Sequence, residues 1–405
     1  MRVLVIGGGA SGLMAALTAA QNPENEVTVL ERQARVGKKL SATGNGRCNL
    51  TNLHTEPGCY HGQEREFVHY ALSEFSVADT LSFFRSLGLL TVSEPSGRVY
   101  PYSDQAGSVV DVLRLSAEAA GVRLMTSAEV RSLMYDADAF FAQTEERRYA
   151  ADAVIVACGG LAGEKLGGCG MGYDLLKRFG HSCTKLYPAL VQLRTDTTYV
   201  RSLKGIRAEC GVSLLENGEL LASSNGEVQF TDYGISGPAV FEISRAMAGK
   251  KADVLAELDL LPLLNEEETV SLLRAKTERM PKLLTEDLLT GTLQNRLGRT
   301  VLRYCGIALD RTCGSVKNAE LRKIAEAVKR FRIPVTGTMN MDQAQVTAGG
   351  IRTSEFDPKT MGSRLQRGLY ACGEVLDIDG DCGGFNLQWA WSSGHLAGLL
   401  KGSGA

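Results

Sequence analysis

Arg2-Val3-Leu4-Val5-Ile6-Gly7-Gly8-Gly9-Ala10-Ser11-Gly12 is the stretch whose reading decides the fold. The five residues from Arg2 to Ile6 form an apolar run that reads as a buried strand. Three glycines follow, and Leu13-Met14-Ala15-Ala16-Leu17 continues as an apolar helix. A second strand, Val27-Thr28-Val29-Leu30, ends on Glu31, 19 positions after Gly12. This is G-x-G-x-x-G between a strand and a helix, with the acid where a dinucleotide site needs it. Gly7 permits the tight turn, Gly9 lets backbone approach a pyrophosphate, and Gly12 lets the helix pack on the strand. Ser11 lies in the same turn. The helix N-terminus aims unpaired N–H groups and a positive dipole end at phosphate. Glu31 can accept hydrogen bonds from both hydroxyls of an adenosine ribose. A 2′-phosphate there would meet like charge, so the pocket favours FAD or NAD over NADP.

The remaining composition narrows the class. A chain of 405 residues has material for two or three domains. Its 44% apolar and 22% charged residues are those of an ordinary globular protein. A formal net charge of −2 provides no global field to attract nucleic acid or an anionic membrane, so neither is an expected partner. No apolar run is long enough to span a bilayer. The first strand starts at Arg2, leaving no room for a signal peptide, and the cytoplasm is the expected compartment. Ten cysteines are present, but none forms C-x-x-C and none has zinc spacing. No metal site is expected.

Further along, helical segments are predicted near 67–75, 78–87 and 106–120, and strands at 122–125, 129–134 and 153–157. Short alternating strands at 208–215, 219–222 and 227–231 predict an inserted antiparallel barrel or sheet. Leu, Lys, Arg and Glu at helical spacing then fill residues 262–330, with Arg274, Lys276 and Arg279 read as a solvated face. Strand-and-glycine language returns at Gly368-Leu369-Tyr370-Ala371-Cys372-Gly373-Glu374, before a helix that runs from Phe385 to about Leu400. The expected domains are 1–190 with 334–405 as a nucleotide-binding domain, 191–255 as the barrel, and 256–333 as a helical domain. A nucleotide-binding domain completed by the far end of the chain is the layout of a two-dinucleotide-binding-domain flavoprotein.

The motifs carry a specific resemblance. They are Val36-Gly37-Lys38-Lys39-Leu40, Gly44-Asn45-Gly46-Arg47-Cys48-Asn49-Leu50-Thr51-Asn52, Gly97-Arg98-Val99-Tyr100-Pro101, Phe230 through Val240, Val346 through Ile351, and Gly373-Glu374 followed by Gly383 through Trp391. Together they resemble the BaiN/YhiN-like family of FAD-dependent oxidoreductases, the aminoacetone-oxidase-like flavoproteins, over nearly the whole chain. The resemblance implies an α/β, Rossmann-type FAD fold built from both ends of the chain, with an inserted β-barrel and a small helical domain. It implies that Gly373 and Glu374 hold the ribityl or pyrophosphate region. Gly384, Asn386 and Leu387 would bring a helix N-terminus to the flavin pyrimidine ring, where a positive dipole end favours the reduced anion. Arg32 and Lys39 would neutralise pyrophosphate or flank adenine, and Val130 would offer its backbone to adenine. Asn45, Gly46, Arg47 and Cys48 would line the extended cofactor near the isoalloxazine, with Cys48 as a packing residue rather than a nucleophile. Gly159 and Gly160 end a strand where close approach to the cofactor leaves no room for a side chain.

Catalysis needs a substrate positioned against flavin N5 and water excluded. An acid or base would come from Tyr60, His61, Arg98, Tyr100, Tyr102 or Tyr187, of which Arg98, Tyr100 and Tyr102 are the selected candidates. Gly167-Gly168-Cys169-Gly170-Met171-Gly172 lacks the preceding strand of a second dinucleotide site, so NADH or NADPH would bind transiently. The family's small-molecule chemistries leave three functions open. The first is an NAD(P)H-dependent reductase of an activated C=C bond in a small hydrophobic, steroid- or bile-acid-like substrate. The second is an aminoacetone-type amine oxidase using oxygen, and the third is a non-catalytic flavin-binding sensor. The oligomeric state is not legible.

Overall fold

The computed structural model describes residues 1–250 and 253–402. Residues 251 and 252, inside the expected barrel segment, and 403–405, at the end of the expected C-terminal segment, lie outside the described residues. The chain divides into two compact units. One comprises Met1–Tyr187 and the segment from Ala344 onward, and the other Pro188–Gln343.

The first unit is built on a five-stranded, all-parallel sheet in the order Leu369–Ala371, Ala153–Val156, Arg2–Ile6, Glu26–Leu30, Arg123–Met125. Val3 through Ile6 and Ala153 through Val156 are buried at every position, as strands covered on both faces must be. The helix Ala10–Ala19 makes the first crossover and buries every residue from Ser11 to Ala19. Its small side chains let the C-terminal helix Phe385–Gly398 come very close: a Cβ on Gly394 would sit 2.5 Å from the Ser11 carbonyl oxygen, and one on Gly398 2.4 Å from that of Ala15. Overpacking of this kind costs about 1–3 kcal/mol, which accounts for the small residues along this seam. A separate antiparallel meander, Ser132–Asp136, Ala139–Gln143 and Arg148–Ala151, follows the third parallel strand. Val130 is buried just ahead of it rather than inside a strand.

The second unit contains a closed six-stranded barrel. Around it run Leu193–Thr195, Gly234–Ser236, Glu219–Phe230, Arg207–Glu216, Val254–Asp259 and Phe331–Thr338, and the last pairs back onto the first. The two strands expected at 219–222 and 227–231 are one continuous strand, Glu219–Phe230. It is joined to Arg207–Glu216 through Asn217 and Gly218, both at positive φ as a two-residue hairpin turn requires. Helices Glu266–Arg279, Asn295–Tyr304 and Asn318–Lys329 lie between the barrel strands Val254–Asp259 and Phe331–Thr338. The segment read as helical therefore starts and ends in barrel strands. Arg274 and Arg279 are exposed, whereas Lys276 donates to the carbonyls of Asp287 and Thr290. Each unit has its own apolar core.

Candidate functional site

The glycine turn has the geometry its sequence requires. Gly7 has φ +107° and donates its N–H to the Leu30 carbonyl at 2.9 Å. A Cβ on it would meet the Ala157 carbonyl oxygen at 2.4 Å, and a Cβ on Gly12 would fall 1.9 Å from the Gly7 carbonyl oxygen. Those two glycines are demanded by the protein's own packing. Gly9 is different: a Cβ there would meet nothing within 4 Å. It also serves as N-cap of helix Ala10–Ala19, which has no side-chain cap and no acidic residue in its first turn. The first N–H groups of that helix therefore receive no side-chain acceptor from its N-cap.

Glu31 is fixed beside this turn. Its Oε2 accepts from Gly8 N–H at 2.8 Å and its Oε1 from Gln33 N–H at 2.7 Å. A carboxylate has about four acceptor positions, so both oxygens retain capacity for hydroxyl donors. Next to it, Arg32 donates through Nη2 to the Gly168 carbonyl at 3.1 Å, while its Nε is buried without a partner. The glycine-rich stretch 167–172 therefore packs against the first site, with Cys169 N–H donating to the Gly160 carbonyl. It forms no second nucleotide turn.

The two ends of the chain meet where Gly373 packs against Ser11. Gly373, at φ +75°, would place a Cβ 2.5 Å from Ser11 Oγ, which brings the strand end against the first helix. Its carbonyl accepts from Trp389 Nε1 at 3.1 Å and its N–H donates to Ser393 Oγ at 3.0 Å. Glu374 then pairs with Lys39 at 2.8 Å and accepts from Thr347 N–H, also at 2.8 Å. A Cβ on Gly160 would collide with this carboxylate at 2.8 Å, whereas one on Gly159 would stay 4.0 Å away. The sequence had singled out Lys39, Gly159, Gly160 and Glu374; the Thr347, Ser393 and Trp389 contacts that hold them had no signal in it.

The C-terminal helix starts after Gly384, at φ +106°, again with no side-chain cap and no acid in the first turn. A Cβ on Gly384 would touch the Thr51 carbonyl oxygen at 2.5 Å and Asn49 Oδ1 at 2.9 Å. That Asn49 oxygen is buried and has no hydrogen-bond partner. Asn386 uses its side chain inside the protein, accepting from Gly380 N–H at 2.8 Å and donating to the Gly380 carbonyl at 2.7 Å. Only its backbone remains to face a ligand. Leu387 is half-buried against the core. Trp391 donates to the Leu50 carbonyl at 2.9 Å and so anchors the loop that precedes Thr51 to this helix.

That loop carries strain. Gly44, Asn45 and Gly46 all have positive φ, as does Cys48. Asn45 and Gly46 are exposed, and a Cβ on Gly46 would meet nothing. Cys48 is fully buried, and burial pushes its thiol up to about 12. A thiol so buried holds little thiolate at neutral pH. Arg47 is committed elsewhere, to Asp104 at 2.5 Å, to Glu94 at 3.2 Å, and to the face of Tyr100 at 4.0 Å. Tyr100 is buried and its hydroxyl is pushed up, chiefly by that burial. Tyr102 is 74% exposed. Arg98 makes no ion pair among the described residues, and its Nε would lie 3.2 Å from a Cβ on Gly383. Tyr60 is buried, with its hydroxyl donating to the Phe385 carbonyl at 3.1 Å. His61 pairs with Asp381 at 2.6 Å.

The described side chains thus leave a run of unmet hydrogen-bonding capacity: two bare helix N-termini, an unpartnered arginine Nε beside Glu31, and an unpartnered asparagine oxygen beside Gly384. Donors near the glycine turn suit phosphates, and an acceptor at the second helix suits a ring N–H. That set fits FAD. When bound, FAD supplies hydride chemistry that no side chain can. Among the described residues no group of His, Cys, Asp and Glu could hold a metal, and no helix is long and apolar enough to cross a membrane.

Comparison with known proteins agrees with this geometry. The family model described as the HI0933-like protein Rossmann domain matches residues 1–400. The chain is 40% identical to the 3-dehydro-bile acid delta(4,6)-reductase of Clostridium scindens, covering 98% of each chain. It is 30% identical to the ribosomal RNA dihydrouridine synthase of Haemophilus influenzae, covering 98% of this chain and 97% of that one. In fold it is similar to the crystal structure of 3-ketosteroid delta1-dehydrogenase from Sterolibacterium denitrificans, with a TM-score of 0.53, 12% identity and 98% of each chain covered. With a glycine turn, the Glu31 carboxylate bonded to it, a C-terminal helix packed on the first helix, and a family match along nearly its full length, the chain belongs to the HI0933-like family of Rossmann-fold FAD oxidoreductases.

Proposed function

We propose that this protein reduces a carbon–carbon double bond conjugated to a carbonyl in a small hydrophobic, steroid-like molecule. Its residues would hold FAD, which would supply the hydride from N5, with NADH or NADPH binding transiently as donor. The observation that carries this reading is the 40% identity, over 98% of both chains, to a protein named as a bile-acid delta(4,6)-reductase. In a 3-oxo steroid the delta-4 and delta-6 bonds are conjugated to the C3 carbonyl. That conjugation makes the far carbon electrophilic and lets the carbonyl oxygen take up the charge.

The residues around the groove support it in named roles. Gly9, Ser11 and the bare start of helix Ala10–Ala19 bind the pyrophosphate, and Glu31 binds the ribose. Lys39, Glu374, Gly159 and Gly160 hold the middle of the cofactor. Gly384 and the backbone of Asn386 and Leu387 present the C-terminal helix start to the flavin ring, favouring its reduced anion. Gly46 and the backbone of Asn45 border the exposed side of the same groove. Arg98, with its guanidinium uncommitted, is placed to steady a substrate carbonyl.

A second reading has a specific observation behind it, the 30% identity to a ribosomal RNA dihydrouridine synthase. Uracil reduction also saturates a C=C bond conjugated to a carbonyl, so the redox half of the site would be unchanged. A chain with net charge −2 lacks the electrostatic attraction that RNA binding draws on, which favours the small molecule. The test is anaerobic: mix the flavin-loaded protein with NADH or NADPH, follow bleaching of the flavin, then add 4-androstene-3,17-dione. Rapid bleaching followed by colour return and a saturated product supports the proposal. Peroxide formation from aminoacetone without bleaching by nicotinamide would replace it with the oxidase.

A further inference from the structure

Saturating a conjugated C=C bond needs a proton as well as a hydride, and the residues near the C-terminal helix start differ sharply in their ability to give one. Tyr60 is buried and already donates to Phe385. Tyr100 lies buried beneath Arg47, and burial raises its pKa further out of range. Tyr102 stands in solvent. Arg98 keeps its proton at any accessible pH. His61 remains. Its Nε2 meets Asp381 Oδ1 at 2.6 Å, with side-chain exposures of 34% and 30%. Its Nδ1 makes no hydrogen bond among the described residues.

The surrounding chain fixes the ring at the mouth of the helix. His61 sits on the two-residue strand Tyr60–His61, paired antiparallel with Asp379–Gly380. The Asp381 carbonyl accepts from Asn386 Nδ2 at 3.3 Å, and the Asp381 N–H donates to the Cys59 carbonyl at 3.0 Å. Tyr60, one residue before His61, holds the first residue of the helix, and Asn386 is its second. The acidic neighbours on the paired strand and its approach, Asp377 and Asp379, are both buried. The arrangement is a histidine with one nitrogen anchored by a carboxylate and the other free, which is the orientation a general acid needs.

We propose that His61 is the catalytic proton donor of the reduction and Asp381 the residue that positions it; this rests on the double-bond reductase reading above. The β carbon receives a hydride and forms a C–H bond. The π electron pair shifts toward the carbonyl, giving an enolate. His61 Nδ1–H then protonates the α carbon as the carbonyl re-forms, leaving neutral imidazole, which regains its proton from solvent through its exposed edge. One hydride and one proton are consumed, and one C=C bond becomes C–C.

The test compares His61→Gln with the parent protein, both loaded with FAD and reduced with NADPH, then reoxidised anaerobically by 4-androstene-3,17-dione. Glutamine keeps a donor to Asp381 but gives no proton to carbon. We expect reoxidation to slow about 100-fold or more, far more than flavin reduction slows, and partial recovery of His61→Ala by added imidazole. Equal reoxidation rates in a folded, yellow His61→Gln protein overturn the proposal. If the parent itself is not reoxidised by the enone, the reductase reading fails and this inference falls with it. An independent readout needs no turnover: the NMR resonance of His61 Nε2, hydrogen-bonded to Asp381 Oδ1 at 2.6 Å, should move in Asp381→Asn. An unmoved resonance overturns the positioning role of Asp381.

Discussion

Three helices of the second unit and two of the first begin in opposite ways. In the second unit, Asn265 and Glu268 form a reciprocal capping box on Glu266–Arg279. The Gln294 side chain accepts from Arg296 and Leu297 N–H groups at the start of Asn295–Tyr304, and Glu320 accepts from Lys317 N–H beside Asn318–Lys329. In the first unit, helices Ala10–Ala19 and Phe385–Gly398 both follow a glycine and receive nothing from a side chain. Glycine as N-cap is only a few tenths of a kcal/mol poorer than serine or asparagine, so the bare starts cost the fold little. Capping does not divide the units as wholes, since Ser76 and Asp79 box Val77–Ser86 in the first and Pro238–Ser244 in the second follows Gly237 uncapped. What sets Ala10–Ala19 and Phe385–Gly398 apart is a start bare of both a side-chain cap and an acid, next to the glycines the sequence singled out.

Substitutions can break that comparison. The largest effect is expected for Gly12→Ala, whose Cβ has no room against the Gly7 carbonyl; protein recovered should carry no flavin, read from the ratio of visible to 280 nm absorbance. Gly9→Ala is the sharper experiment. Gly9 has φ −83° and open space around its missing Cβ, so alanine fits the fold. The melting temperature should stay close to that of the parent while FAD binds about tenfold or more weakly, equivalent to roughly 1.4 kcal/mol, in a fluorescence titration. A destabilised Gly9→Ala protein with unchanged FAD affinity would refute the contrast. Asn265→Ala should behave inversely, losing about 1 kcal/mol of stability in thermal or urea unfolding without altering flavin retention. The smallest effect concerns thiols, on which the units should not differ. Burial pushes Cys48 and Cys372 in the first unit, and Cys210 in the second, up to about 12. All three should escape alkylation of the native protein at pH 8, with half-exposed Cys59 labelled first in a mass-spectrometric time course.

What could be read from the sequence was local. The strand, glycine turn and helix of residues 2–19 and the acid at Glu31 lie within one supersecondary unit, so spacing alone located them. Glu374 and Gly384 were singled out through motif resemblance. Side-chain commitments were not. Arg47 looked like a cofactor contact, but Glu94 and Asp104 claim its guanidinium, and Gly380 claims the Asn386 amide. The His61–Asp381 pair joins residues separated by 320 positions and has no pattern to betray it. The barrel was visible as alternation, yet Glu219–Phe230 read as two strands because the Ser223-Ser224-Asn225-Gly226 stretch interrupts the apolar period without interrupting the pairing. Strand Phe331–Thr338 straddled an expected boundary because its partners, Leu193–Thr195 and Val254–Asp259, lie far upstream.

The edge position of Leu369–Ala371 in the parallel sheet has a consequence for biosynthesis. Until those residues leave the ribosome, Ala153–Val156 has an unpaired, wholly apolar edge, and the second tryptophan-bearing half of the groove does not exist. The nascent chain must keep that edge from other polypeptides while the entire barrel unit is being made, which is a hazard for exposed strands. Chains stalled or clipped before residue 369 should therefore be colourless and prone to aggregate.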